Sequence, residues 1–254
     1  MRLVMLHLLN EVRLALYLKR RYWFETVLGL GLLLILFGGL LYAVGTVSGK
    51  SFDSGALDSM IVGFVLWQFA VVSYSSASND VAEETRQRTV EQLYIVPIPL
   101  TYLLGLRAFL HLLGGVLVLL LAFAVISALT AGRLRMEFLP MVGAVLLAAP
   151  SLVGIGYAVA GLLLLVKKAE LAQGVMYLAL ISLVALPAYP VNAFALLPYA
   201  LGAATARAAA EGSTIAPEVY AIVIANSAMY LWLGLTVFWW MERRAKRLGV
   251  IGHW

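Results

Sequence analysis

No cysteine occurs in this sequence. That excludes disulfides and thiolate metal sites, and it leaves the redox compartment unmarked. Charge is scarce: Asp, Glu, Lys and Arg make up 12% of the residues, against about 25% in a soluble domain. The common catalytic signatures are missing too. There is no H-E-x-x-H, no G-x-S-x-G and no acidic pair on an apolar helical face. Histidine occurs only at His7, His111 and His253, so no metal site, no bound cofactor and no catalytic residue is assigned to the chain. One stretch, Gly45–Ser51 (GTVSGKS), resembles a phosphate-binding loop. It is one residue short of G-x-x-x-x-G-K-[ST] and follows an apolar run where the loop needs a strand. ATP hydrolysis by this chain is therefore not expected.

What is present is apolar surface. Hydrophobic residues make up 63% of the chain, and the mean hydropathy is +0.95. No soluble core needs that much, so an all-α, polytopic membrane protein is predicted. A crossing helix takes about 20 apolar residues. Charge-free windows place spans at 26–49, 59–79, 108–132, 138–166, 171–191 and 219–241. The first window is too long for the apolar region of a signal peptide, so it is read as retained. The window 171–206 is too long for one span and is broken by Pro187, Pro190 and Pro198. It is read as the fifth span followed by a short re-entrant outer segment. The chain 1–254 is one membrane domain, with no repeat and no soluble linker.

The basic residues set the topology. Six spans put fourteen of the eighteen Lys and Arg on the cytoplasmic side, leaving Lys50, Arg133, Arg135 and Arg207 outside. Seven would expose one basic tail. Both termini are thus expected in the cytosol of a cytoplasmic (inner) membrane protein. Aromatic residues at Tyr22–Phe24 and Trp239–Trp240 suit the two inner interfaces. Residues 1–23 are predicted as an interfacial helix on the inner leaflet, with Met5, Leu8, Leu9, Val12 and Leu16 on one face. The net charge of +5 then needs no nucleic-acid partner. Glycine and alanine four apart, at Gly154/Ala158 and Gly156/Ala160, point to close helix contacts.

Between the second and third spans lies a mixed-charge segment, 80–100, a predicted cytosolic loop. Asp80 with Glu83 reads as a helix start of capping-box type. Glu84/Arg88, Glu83/Arg86 and Arg88/Glu91 stand at spacings that pair on a helix. Pro97 and Pro99 should end that helix by Val96. A short charged helix tied to a span is a candidate docking element for a soluble partner. Residues 242–254 are read as a cytosolic tail.

The segment ETRQRTVEQLYIVPIPLTYLLGLR resembles the loop between spans two and three of ABC-2-type (type-2 ABC exporter) permeases. Thr89, Glu91, Gln92, Leu93, Pro97 and Arg107 match the family pattern, Val90 replaces leucine, and Arg88 stands where glycine is usual. The ending MERRAKRLGVIGHW is similar to the family's basic tail, and LLPYALGAATARAA to its short outer segment. The resemblance implies a six-span export permease that pairs with a second permease, identical or not. Each permease docks a cytosolic ATPase subunit, which carries the ATP and Mg. It makes the charged helix a coupling helix, with Glu83, Glu84, Arg86, Gln87, Arg88, Glu91 and Gln92 as contacts to the ATPase.

Polar residues that could face a pathway are Gln68, Ser73, Tyr74, Ser75 and Ser76 in the second span, and Gln173, Tyr177 and Asn192 in or near the fifth. Apolar spans suit an amphipathic or lipid-like cargo, such as a drug or lipid, better than a hydrophilic ion. A haem-exporting permease of cytochrome maturation is a neighbouring reading. A self-contained channel or carrier and a non-transporting anchor are the readings from other classes.

Overall fold

Long runs of Leu, Val, Ala and Gly leave the backbone one way to satisfy its polar groups in an apolar setting, the α-helix, which here even takes Pro150 inside α5 (Phe138–Leu165). In a computed structural model of the chain, the described residues are helical and turn structure throughout. They are 2–24, 27–29, 31–32, 35, 38–39, 42, 46, 54–87, 89–95, 98–129, 137–166 and 170–249. Most of the first predicted span, 26–49, and the loops carrying Lys50, Arg133, Arg135, Lys167 and Lys168 lie outside them, as does the end of the tail. The described residues from 27 to 46 are helical.

The helices are α1 (Arg2–Arg21), α2 (Ser54–Arg86), α3 (Val90–Ile95), α4 (Leu100–Leu129), α5 (Phe138–Leu165), α6 (Glu170–Ala185), α7 (Ala200–Ala210) and α8 (Pro217–Leu248). A one-turn 3-10 helix covers Ala193–Leu196. Among the described residues, α2, α4, α5 and α8 are long and apolar enough to cross a membrane. The chain thus has the make-up of a multi-pass membrane protein. The fifth predicted span is shorter than drawn: α6 is 16 residues, about 24 Å, and stops ahead of Pro187.

Three boundaries differ from the sequence expectation for one reason. A charge-free window marks where the hydrocarbon ends, and a helix can continue past it. Ala82, Glu83, Glu84 and Arg86 are good helix formers, so α2 runs unbroken through Asp80 to Arg86. Asp80 therefore caps nothing. At 33 residues α2 is about 50 Å long and outruns a hydrocarbon core of about 30 Å. Likewise α4 begins at Leu100 and contains Arg107, and α8 carries the basic tail as helix to Leu248. The fourth predicted span, 138–166, agrees with α5 to one residue.

The core centres on α5. Gly156 brings its backbone against the carbonyl of Tyr74 on α2, and Gly154 against Tyr230 and Leu231 on α8. A Cβ at Gly154 would stand 2.7 Å from Leu231 Cα, and one at Gly234 would overlap the Gly154 carbonyl. These contacts put α2, α5 and α8 side by side in the same direction, with α4 and α6 antiparallel to α2. After α6 the chain turns back into the bundle. Asn226 and Tyr230 of α8 donate to the carbonyls of Ala195 and Leu196, at 3.1 and 2.9 Å. The wholly buried Tyr199, in the left-handed region at φ 66°, donates to Leu66 O at 3.1 Å. From there α7 returns along α5, and Glu137 N–H reaches Ala210 O at 2.8 Å. Nine of the eleven α7 residues are buried, and seven of these nine are Ala or Gly, which lets the helix fit among its neighbours.

Candidate partner-docking site

The overhang of α2 places its last two turns beside the start of α4. Because the two helices run antiparallel, residues 84 and 107 meet. Arg107 Nη1 donates to Glu84 Oε1 at 2.8 Å, and its Nε donates to Glu11 Oε2 on α1 at 3.1 Å. One guanidinium fork thus holds three helices, with side-chain exposures of 18 to 21% across the trio. One turn further along, His111 Nε2 lies 3.3 Å from Asp80 Oδ1. Single pairs at a surface contribute little, but a shielded, forked network fixes relative positions.

The α2 helix stops at Arg86 and Thr89 opens α3. The Thr89 hydroxyl donates to the Glu84 carboxylate, and Gln92 N–H reaches Thr89 O at 2.9 Å. Thr89-x-x-Gln92 is the S/T-x-x-E/Q signature of a helix start, and this is where the second helix begins, nine residues after Asp80. The next turns anchor it: Val90 is buried, and Lys246 Nζ sits 4.4 Å from the centre of the Tyr94 ring while bonding Glu242 at 2.8 Å. Burial, and then the adjacent Glu242 carboxylate, push the Tyr94 phenol above the ordinary tyrosine range. The α3 helix is therefore braced against both α2 and the overhang of α8.

The predicted contact residues divide accordingly. Glu83 and Arg86 are exposed and pair at 3.6 Å, and Gln87 Nε2 donates to Glu83 at 2.6 Å. Gln92 is exposed on α3. Glu84 faces inward to Arg107, and its predicted pairing with Arg88 lies outside the described residues. Arg88 and the side chain of Glu91 lie outside the described residues. The sequence reading missed Ile95, which is 83% exposed. Helical periodicity would have found it, since Val90 and Tyr94 turn inward and leave Ile95 outside. It also missed Glu11, which no local spacing links to Arg107.

The pathway candidates come together only in part. Tyr74 on α2 and Tyr177 on α6 meet edge to face at 5.8 Å, and Gln173 donates to Asn79 at 3.2 Å. Ser73 and Ser76 spend their hydroxyls on backbone carbonyls of α2 at 2.8 Å and are buried. Gln68 and Ser75 are half-buried on the same helix. Asn192 stands apart: it bonds Pro187 O at 2.7 Å and caps the 3-10 helix through Phe194 N at 2.9 Å, a local turn role. Among the described residues no three His, Asp or Glu side chains gather to hold a metal.

Replacing Thr89 with alanine removes the hydroxyl's bond to Glu84 and should cost about 1 kcal/mol, the usual net value of one side-chain hydrogen bond. The expected readout is amide exchange over Val90–Ile95 about five-fold faster, with exchange in α5 unchanged. No family model, no curated protein and no solved structure matches this chain.

Proposed function

We propose that this chain is the membrane-spanning permease subunit of an ATP-driven exporter of the ABC-2 type. In this reading it has six spans, with both termini in the cytosol. It pairs with a second permease, takes an ATPase subunit on the α2–α3 overhang, and moves an amphipathic or lipid-like cargo outward.

The observation that carries the reading is the Glu84–Arg107–Glu11 junction. A docking element transmits motion only if it is stiff and tied to the spans. Here the exposed Glu83, Arg86 and Gln87 sit at the end of α2, which is latched to α4 and α1, and the exposed Gln92 and Ile95 sit on α3 directly after it. A solvated loop would need no such latch. An exposed isoleucine in the same short segment as exposed polar residues is also the composition of a docking patch. Among the pathway candidates, the Tyr74–Tyr177 and Asn79–Gln173 contacts make the α2–α6 seam the element that would rearrange.

The test exchanges the exposed pair, Glu83→Lys with Arg86→Glu. The local pair is kept in reverse and the interior is untouched, so the chain should fold. ATPase activity that co-purifies with the wild-type chain should fall at least ten-fold, as expected for lost charge complementarity at an interface. Unchanged co-purifying activity would remove this surface from the proposal.

A further inference from the structure

A second feature lies on the opposite side of α4 from Arg107. There α4, α5 and α8 part to leave a groove of about 1000 Å³. Its walls include Ile98, Tyr102, Phe109, Val153, Leu231 and Leu235. The hydroxyl of Tyr157 in its wall is already spent on Thr101 O at 2.9 Å, and among the described residues no charged side chain lines it. Polar cargo would find no partner there. Tyr102 and Phe109 are 73% and 56% exposed, so the groove opens sideways onto the same apolar surface as Leu113 and Leu117. In a membrane helix that surface faces lipid.

The α8 wall also supplies an end to the groove. Leu231 and Leu235 belong to one i+4 row, which continues as Trp239 and Arg243. The Arg243 guanidinium stacks 3.3 Å from the centre of the Trp239 ring. Among the described residues no carboxylate lies within 4.0 Å of it. The row from Leu231 to Arg243 rises through twelve residue steps, about 18 Å, close to one leaflet of a hydrocarbon core about 30 Å thick. An apolar channel one leaflet deep, ending at an unpaired cation on an interfacial tryptophan, matches one kind of molecule.

We infer that this groove binds an anionic phospholipid, with one acyl chain between α4, α5 and α8 and its phosphate on Arg243. The site requires only that these helices span a bilayer, so it stands or falls separately from the exporter reading. A lipid held here would wedge α4 against the α5–α8 pair on the face opposite the Arg107 latch.

The test places a photoreactive benzophenone amino acid at Phe109, and separately at the exposed Leu117, in the full chain. The protein is reconstituted in vesicles of phosphatidylglycerol and phosphatidylcholine. At Phe109, phosphatidylglycerol adducts should exceed that lipid's share of the vesicle about five-fold, the effect expected of one interfacial arginine. At Leu117 the adducts should match the vesicle composition. Arg243→Gln, an exposed substitution, should abolish the enrichment while lipid adducts persist. Leu235→Trp should lower the total yield at Phe109. Equal ratios at the two positions, or enrichment that survives Arg243→Gln, would overturn the proposal. Adducts at Phe109 to polypeptide instead of lipid would overturn it too, since the groove would then be filled by protein.

Discussion

Replacing Gly234 with leucine is expected to remove most of the folded chain recoverable in mild detergent. A Cβ there would overlap the Gly154 carbonyl oxygen, its carbon and its Cα. All three are backbone atoms, so no rotamer change relieves the clash, and α5 and α8 must move apart. Overpacking usually costs about 1–3 kcal/mol, and a backbone-on-backbone clash belongs at or above about 3. Helices in lipid gain no hydrophobic force from approaching one another, so close packing is much of what holds them. Gly143→Leu is the control, since a Cβ at Gly143 meets nothing within 4 Å. Size-exclusion recovery after graded heating should separate the two variants clearly. Equal recovery would mean that α5 and α8 are not in backbone contact at Gly154.

Arg107→Gln is the second large effect. It leaves the Glu84 and Glu11 carboxylates close together without the cation that bridged them. Breaking a fully buried pair costs about 3–5 kcal/mol; at 18% exposure of the Arg107 side chain the expectation is about 2–3. Arg107→Lys should do less harm but not restore the wild type, because an ammonium cannot address two carboxylates through one planar fork. Adding Glu84→Gln to Arg107→Gln should recover part of the stability, by removing one uncompensated charge. Co-purifying ATPase activity should not recover with it, because the link between α2 and α4 stays broken. Heating curves and ATPase assays on the same three preparations check this. Recovery of both together would reduce the latch to a stability device.

Local chemistry was readable where it was local. Charge-free windows located α5 within a residue, but they drew the fifth span to 191, past Pro187, where α6 has already ended at Ala185. Glycine spacing identified the face of α5 that packs closely, though not that Gly234 of α8 would answer it. The same windows misjudged α2 and α4, because they register the edge of the apolar run while Glu83, Glu84 and Arg86 carry the helix on. Within the charged segment, local spacing suggested Glu84 with Arg88, which lies outside the described residues; the fold gives Glu84 the shielded guanidinium fork of Arg107, 23 residues away. The Arg107–Glu11 contact spans 96 residues and leaves no periodic trace. Asn192 looked like a pathway residue because it is polar amid apolar sequence. Its carbonyl oxygen and amide are both used within the eight residues from Pro187 to Phe194, a pattern that Asn before a short helix often signals.

The central claim is that an ATPase couples to the spans through the α2–α3 overhang. The direct measurement is purification of the intact chain from its native membranes in mild detergent, with mass determination and an ATPase assay on the product. The account predicts two permease chains with two ATPase subunits and measurable hydrolysis. A chain that arrives without an ATPase and carries ATP-independent flux in vesicles would contradict it.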